Sequence, residues 1–295
     1  MRVCVDISRG GCHKLSWGRG LVWLFLFLLP AGVMGAEARS GSFEFDPNFS
    51  YAAYLGTGVY TTASGDSLGV LNIPIAFPLL EQGNRGWGLD LNIPISLGFV
   101  NYDFEKDLPS GNLPEGFDAV TVLPGIEFHL PITDSWSLHP FVDLGLGRNL
   151  SSDTTNGIYG GGVISYYGFN LGHFPFLLGN RLFRAGYRNL DTDASGAFTA
   201  LETGLHVPVV ATGKVLDRQT DFALYYENYI YSENLLFSNT KGQFDSYNIQ
   251  NEIGFTWGAS LPSHNNLYQQ PRIGLGVRFD GDIRIYRLVF GMPFF

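Results

Sequence analysis

Cysteine is almost missing from this chain: of 295 residues two are cysteine, Cys4 and Cys12, both close to the first residue. No disulfide can therefore brace anything beyond that point. Basic residues are scarce too. Eighteen Lys and Arg against 27 Asp and Glu leave a formal charge of −9, which argues against nucleic acid as a partner. Long apolar runs are also few. Only Leu21 to Leu29 is uninterrupted, too short to span comfortably as a helix. Mean hydropathy is +0.06, so this is no helical membrane protein. Linear motifs give no Gly-rich phosphate loop, zinc spacing or calcium loop. No cofactor and no metal are expected from them.

What is present begins with a leader. Arg2, Arg9, Lys14 and Arg19 precede the apolar run, and Pro30, small residues and Ala36-Glu37-Ala38 follow it. That is the order of a secretory signal peptide, here 1–38, removed on export. Residues 39–48 form a short mixed segment, and 49–295 read as one all-β domain. Its first strand-like stretch is Phe49 to Thr62. Leu71, Ile73, Ile75, Phe77 and Leu79 then alternate with smaller residues. The clearest strand sets Trp87, Leu89, Leu91, Ile93, Ile95, Leu97 and Phe99 against Gly88, Asp90, Asn92, Pro94, Ser96 and Gly98. A period of two over roughly 13 residues outruns the 5–6 of globular sheets and suits a tilted membrane strand with aromatic ends. Prolines 74 and 94 cannot donate to a ladder, so bulges or missing hydrogen bonds are expected there.

Further strands follow at 120–130 and 136–147, then at Ile158–Leu171, Leu177–Leu190, Phe198–Val209, Asp221–Tyr231, Tyr247–Ala259, Arg272–Phe279 and Asp282–Phe294. Long polar loops alternate with short turns: 101–117 is long, 81–86 and 132–135 are short. Later loops fall at 191–196, 211–219, 233–244 and 261–270. The sum is a closed antiparallel transmembrane β-barrel of about twelve strands, ten being the alternative.

The last strand sets Tyr286, Leu288, Phe290, Met292 and Phe294 on one face and Arg287, Val289 and Gly291 on the other, with Phe295 beyond. It resembles the C-terminal assembly signal of bacterial outer-membrane barrels. With the leader and the strand pattern, Leu123-Pro124-Gly125-Ile126-Glu127 and Trp136-Ser137-Leu138-His139-Pro140-Phe141 look like the solitary, passenger-less autotransporter-type barrels. The resemblance implies the outer membrane of a Gram-negative bacterium, a coat of outer-membrane lipid, and handling by periplasmic chaperones and the barrel-assembly machinery. The roughly ten residues between leader and first strand are too few for a passenger or a plug helix.

Alternation points Asp90, Glu127, His129, His139, Asp143, Glu202, His206, Glu227 and Glu252 inward, and Arg184, Arg188, Arg272, Arg278 and Arg287 with them. Unpaired charges removed from water are costly, so these are expected to pair across the lumen. About the 132–135 turn, residue numbers summing near 266 set Glu127 opposite His139, a carboxylate placed to orient a base. No motif supplies a serine nucleophile, and Asp191-Thr192-Asp193 reads as a solvated turn. The expectation is a non-enzymatic barrel, solitary or a small channel for solute or ion. The alternative is an outer-membrane hydrolase of lipid or peptide, its base His139, His129, or His206 with Glu202 beside Arg184.

Overall fold

A computed structural model describes residues 52–61, 67–81, 86–100, 118–150, 152–172, 174–192, 194–215, 217–238, 244–260, 272–280 and 283–292. The expected leader, segment 39–48, the 101–117 loop, the 261–270 loop, and Phe294 and Phe295 lie outside these residues. The strands are β1 (Gly58–Thr61), β2 (Ser67–Ile73 and Ala76–Leu80), β3 (Gly88–Asn92 and Ile95–Val100) and β4 (Ala119–Val122 and Gly125–Thr133). There follow β5 (Trp136–Asn149), β6 (Thr154–Leu171), β7 (Phe174–Asn189), β8 (Ser195–Val215), β9 (Arg218–Ser238), β10 (Phe244–Ala259), β11 (Arg272–Asp280) and β12 (Ile283–Phe290). Each pairs antiparallel with the next, and β12 pairs with β1, so twelve strands close into a barrel.

Paired residues can be followed round the wall from Asn149 through Ala119, Gly98, Val70, Gly58, Arg287, Gly276, Gly254, Tyr225, His206, Leu177 and Gly168. The path returns at Ser135, the residue before β5, fourteen residues from its start. With twelve strands that stagger implies a tilt of roughly 40° and a radius of about 11 Å. So narrow a lumen can be filled by side chains.

The alternation is inside out relative to a soluble protein. Val142 and Leu144 are 66% and 70% exposed on the outer face, while His139, His206 and Glu252 inside are 0% exposed. Trp136 opens β5, Trp87 precedes β3 and Trp257 nears the end of β10, all at the lower rim, where β1 starts and β12 ends. An apolar outer band edged by aromatic residues is the surface of a membrane-spanning barrel.

The prolines explain why three strands, β2, β3 and β4, are each broken in two. The ladder lapses at Pro74, at Pro94 and at Pro124, and single bonds bridge the gaps: Ile93 N to Ile75 O, 2.7 Å, Leu123 N to Pro94 O, 3.1 Å, and Leu144 N to Pro124 O, 2.9 Å. Register also shifts beside Pro78, Pro131 and Pro208. A residue without an N–H cannot complete a rung, so the wall is interrupted across three adjacent strands.

Four expectations change. The first strand shrinks to Gly58–Thr61, and a helical turn, α1 (Ala52–Leu55), precedes it inside the barrel. Ala53 packs on Leu123 and Ile158, and the Tyr54 ring stacks on Phe183 at 5.6 Å. Gly160 makes room, since a Cβ there would run into the Tyr54 hydroxyl. The expected loop 211–219 is instead the tip of a long hairpin that turns at Asp217 (φ 62°), and β9 runs on to Ser238, well into the expected 233–244 loop. Polar composition there is a strand outside the apolar band, not a loop. Met292, placed by alternation with Tyr286, Leu288 and Phe290 on the outer stripe, turns inward. Gly291 (φ 85°) breaks the two-residue period, and Met292 joins Phe141, Tyr166 and Leu177 in the lumen.

Candidate functional site

Among the described residues the lumen holds two polar clusters. The first is an ionic belt on β7 to β12. Glu227 and Glu252 stand directly opposite one another on β9 and β10, a juxtaposition that repels unless cations intervene. Arg287 Nη1 reaches Glu252 Oε2 at 2.8 Å and Glu227 Oε2 at 3.6 Å, while Arg278 Nε binds Glu252 Oε2 at 3.1 Å. Tyr225 donates its hydroxyl to Glu252 Oε1 at 2.6 Å, and Tyr229 donates to Glu227 Oε2 at 2.5 Å while accepting from Arg287 at 2.6 Å. The Arg278 guanidinium also lies 3.5 Å above the Tyr229 ring, a cation–π contact. Nearby, Arg181 pairs with Glu202 at 2.7 Å and Arg272 with Asp221 at 2.6 Å.

These pairs join neighbouring or nearly neighbouring strands along the wall, not opposite sides of the lumen as expected. Adjacent inward residues are simply nearer than the far wall. The expected arginines also need correction. Arg184 and Arg188 are exposed on the outer face of β7 with Leu182, whereas Arg181, Phe183 and Ala185 point in. Arg184 donates to Thr199 there, at 3.2 Å. The expected His206, Glu202 and Arg184 grouping therefore dissolves: Glu202 holds Arg181, and His206 lies 3.4 Å from Thr256, which also accepts from Arg272 Nε at 2.9 Å.

The second cluster sits near the lower rim on β3, β4 and β5. Asp90, Glu127, His129 and His139 all point in, with Asp143 half-buried further up β5, beyond Phe141. The register is Gly125 with Asp143 and Glu127 with Phe141, so residue numbers sum to two more than expected and Glu127 meets His139 diagonally. Contact survives: Glu127 Oε1 is 2.9 Å from His139 Nδ1 and 3.3 Å from His129 Nε2. Asp90 Oδ2 is 3.5 Å from His129 Nε2. The two imidazoles stack at 4.7 Å, and Tyr166 meets His139 edge-on at 5.1 Å. His139 Nε2 lies 2.9 Å from Ser137 Oγ, and Asn92 donates to Glu127 Oε2 at 3.3 Å.

Alternation alone could have put Ser137 beside His139, as they are two apart on one strand. Asn92 was equally open to it, but Arg181 was not, and nothing linear marked Tyr229 or Tyr225. Asp191 serves a turn, its Oδ2 accepting from Thr155 N at 2.7 Å. Asp193 lies outside the described residues. Glu127, His129 and His139 offer donor atoms within 4.8 Å of one another, a spacing that could hold a metal ion.

No family model matches the chain, and no curated protein matches it. Among solved structures it is similar to the β domain of the Bordetella autotransporter BrkA, at 10% identity and a TM-score of 0.43, over 81% of this chain and 96% of that one. At that score the likeness adds no argument, and the barrel stands on its own ladder.

Proposed function

We propose that this chain is a non-enzymatic, autotransporter-like barrel of the Gram-negative outer membrane, with a lumen closed by its own side chains. Periplasmic chaperones and the barrel-assembly machinery would deliver it, and outer-membrane lipid would coat its apolar band. One observation carries the closed reading: Glu227, Glu252 and Arg278 are 1%, 0% and 3% exposed. Charges lining a water-filled pore stay wet; these have protein partners in place of water. Tyr54 and Met292 add to the fill. The refolded barrel is expected to migrate heat-modifiably on gels, fractionate with the outer membrane and give no conductance steps in planar bilayers. Reproducible single-channel steps from the unaltered protein would restore the solute-channel reading.

A second reading has its own observation. Ser137 Oγ, His139 and Glu127 form a chain of two 2.9 Å contacts, the nucleophile, base and orienting-acid order of a serine hydrolase. Under the non-enzymatic reading a fluorophosphonate probe leaves Ser137 unlabelled. Labelling that disappears with His139→Ala would favour the hydrolase.

A further inference from the structure

The lower-rim cluster differs from the rest of the lumen in how its acid is balanced. Glu202, Glu252, Glu227 and Asp221 each face a guanidinium. Glu127 instead sits between two imidazoles, and imidazole is neutral or cationic according to its surroundings and is a common metal ligand. We propose that His129 Nε2, His139 Nδ1, a Glu127 oxygen and Asp90 Oδ2 bind one divalent cation of the zinc class.

Geometry is the first argument. Zinc bonds to imidazole nitrogen and carboxylate oxygen of about 2.0–2.2 Å put neighbouring donors of a tetrahedron roughly 3.3–3.5 Å apart. The His129–Glu127 spacing is 3.3 Å, and Glu127, His129 and His139 bring donors within 4.8 Å of one another. Asp90, 3.5 Å from His129, swings toward them to complete the four. The 2.9 Å His139–Glu127 contact is hydrogen-bond length and widens by a few tenths of an ångström when a cation replaces the proton. The rings stand face to face, 23° from parallel, and since each lone pair lies in its own ring plane, one ring turns about its side-chain torsions to bring both nitrogens to one ion.

The second argument is the surrounding shell. A metal-bound imidazole gives its other N–H to an oxygen, which fixes the tautomer, and a metal-bound carboxylate is itself hydrogen-bonded. His139 Nε2 has Ser137 Oγ at 2.9 Å, and Glu127 Oε2 accepts from Asn92. With Nε2–H donated to Ser137, Nδ1 carries the lone pair that a metal needs, so Ser137 is a positioning residue.

The third argument is place. Asp90, the Glu127–His129 pair and His139 come from three adjacent strands, β3 to β5, two of which carry the proline lapses at Pro94 and Pro124. Between β4 and β5 the pairing skips from Glu127 with Phe141 to Leu130 with Leu138, and the two positions between include His129, His139 and Pro140. A cation held there ties β4 to β5 where backbone rungs are missing and adds β3, whose own ladder with β4 is continuous at Gly88–Asn92. Four protein donors leave no open position, so the role is structural.

The test uses untagged, refolded barrel, stripped with chelator and titrated with Zn2+ against a chromophoric competitor, and in parallel with Co2+. The expected result is one equivalent of zinc per chain, a four-coordinate Co2+ absorption band, and a gel-shift temperature raised by zinc. His129→Ala with His139→Ala abolishes all three, while Ser137→Ala and Asn92→Ala weaken binding roughly ten- to a hundredfold. A six-coordinate or absent Co2+ band in the unaltered barrel overturns the proposal without reference to any variant, as does zinc binding undiminished in the double-histidine variant. Failure leaves the closed-lumen reading intact, because conductance is measured separately.

Discussion

Glu252→Ala is expected to destabilise the barrel by roughly 3–5 kcal/mol, the cost of removing one partner from a buried ion pair. Glu252 is 0% exposed and its Oε2 receives both Arg278 and Arg287. Without it two guanidinium groups share the single acid Glu227 in a dry space, and Tyr225 loses its acceptor at 2.6 Å. Glu252→Gln keeps an oxygen for Tyr225 but not the charge, so an intermediate loss is expected. The control is the exposed pair Arg148–Asp153, with side chains 57% and 79% accessible. Such pairs contribute little, and Asp153→Asn keeps a residue type that tolerates the left-handed backbone there (φ 55°). Urea unfolding in detergent and the temperature of the gel-mobility shift both read the difference. Equal, small effects for Glu252→Ala and Asp153→Asn would mean that water reaches the belt, and the closed lumen would fall with it.

That belt shows where reading by periodicity stops. Alternation orients a residue correctly wherever large apolar side chains mark one face, as on β3 and β5, and there Asp90, His139 and Asp143 were legible. On β7 both faces carry apolar and basic residues. Leu182 and Leu190 lie outside, Phe183 and Ala185 inside, so the pattern could not choose between Arg181 and Arg184. The choice comes from Glu202, whose inward position on β8 opposite Arg181 gives that guanidinium a partner. Strand ends were less legible for a different reason. The 211–219 hairpin lies beyond the apolar band, where a strand has no reason to be hydrophobic.

The lower-rim cluster was half legible. Each of its members could be pointed inward, and pairing about the turn brought Glu127 near His139. Register was missed by two residues because the turn closes on Asp134 and Ser135, with Thr133 opposite Trp136, later than the assumed centre; the one-residue shift beside Pro131 removes only part of that error. A two-residue error keeps every side chain on its correct face, which is why the contact survived it. A metal spacing could not appear in the linear sequence, since the donors are spread over positions 90 to 139 and meet only when three strands pair.

The outer face gives the other large effect. Leu144 is 70% exposed near the middle of β5, with Val142 and Leu146 beside it on the same stripe. Leu144→Arg places a guanidinium against hydrocarbon and is expected to cost roughly 2–4 kcal/mol. Leu190, 59% exposed, follows the upper end of β7 on the face that already carries Arg184 and Arg188. At the interface the same substitution costs about 0–1 kcal/mol, because a long basic side chain can carry its charge to the headgroups. The comparison separates depth from chemistry, as both variants exchange an exposed leucine for arginine. Folding into vesicles, followed by urea titration of the embedded barrel, gives the two costs on one scale. Similar losses at both sites would put Leu190 inside the apolar band. Tolerance of arginine at both would take lipid away from the β5 face and with it the membrane-spanning reading of the barrel.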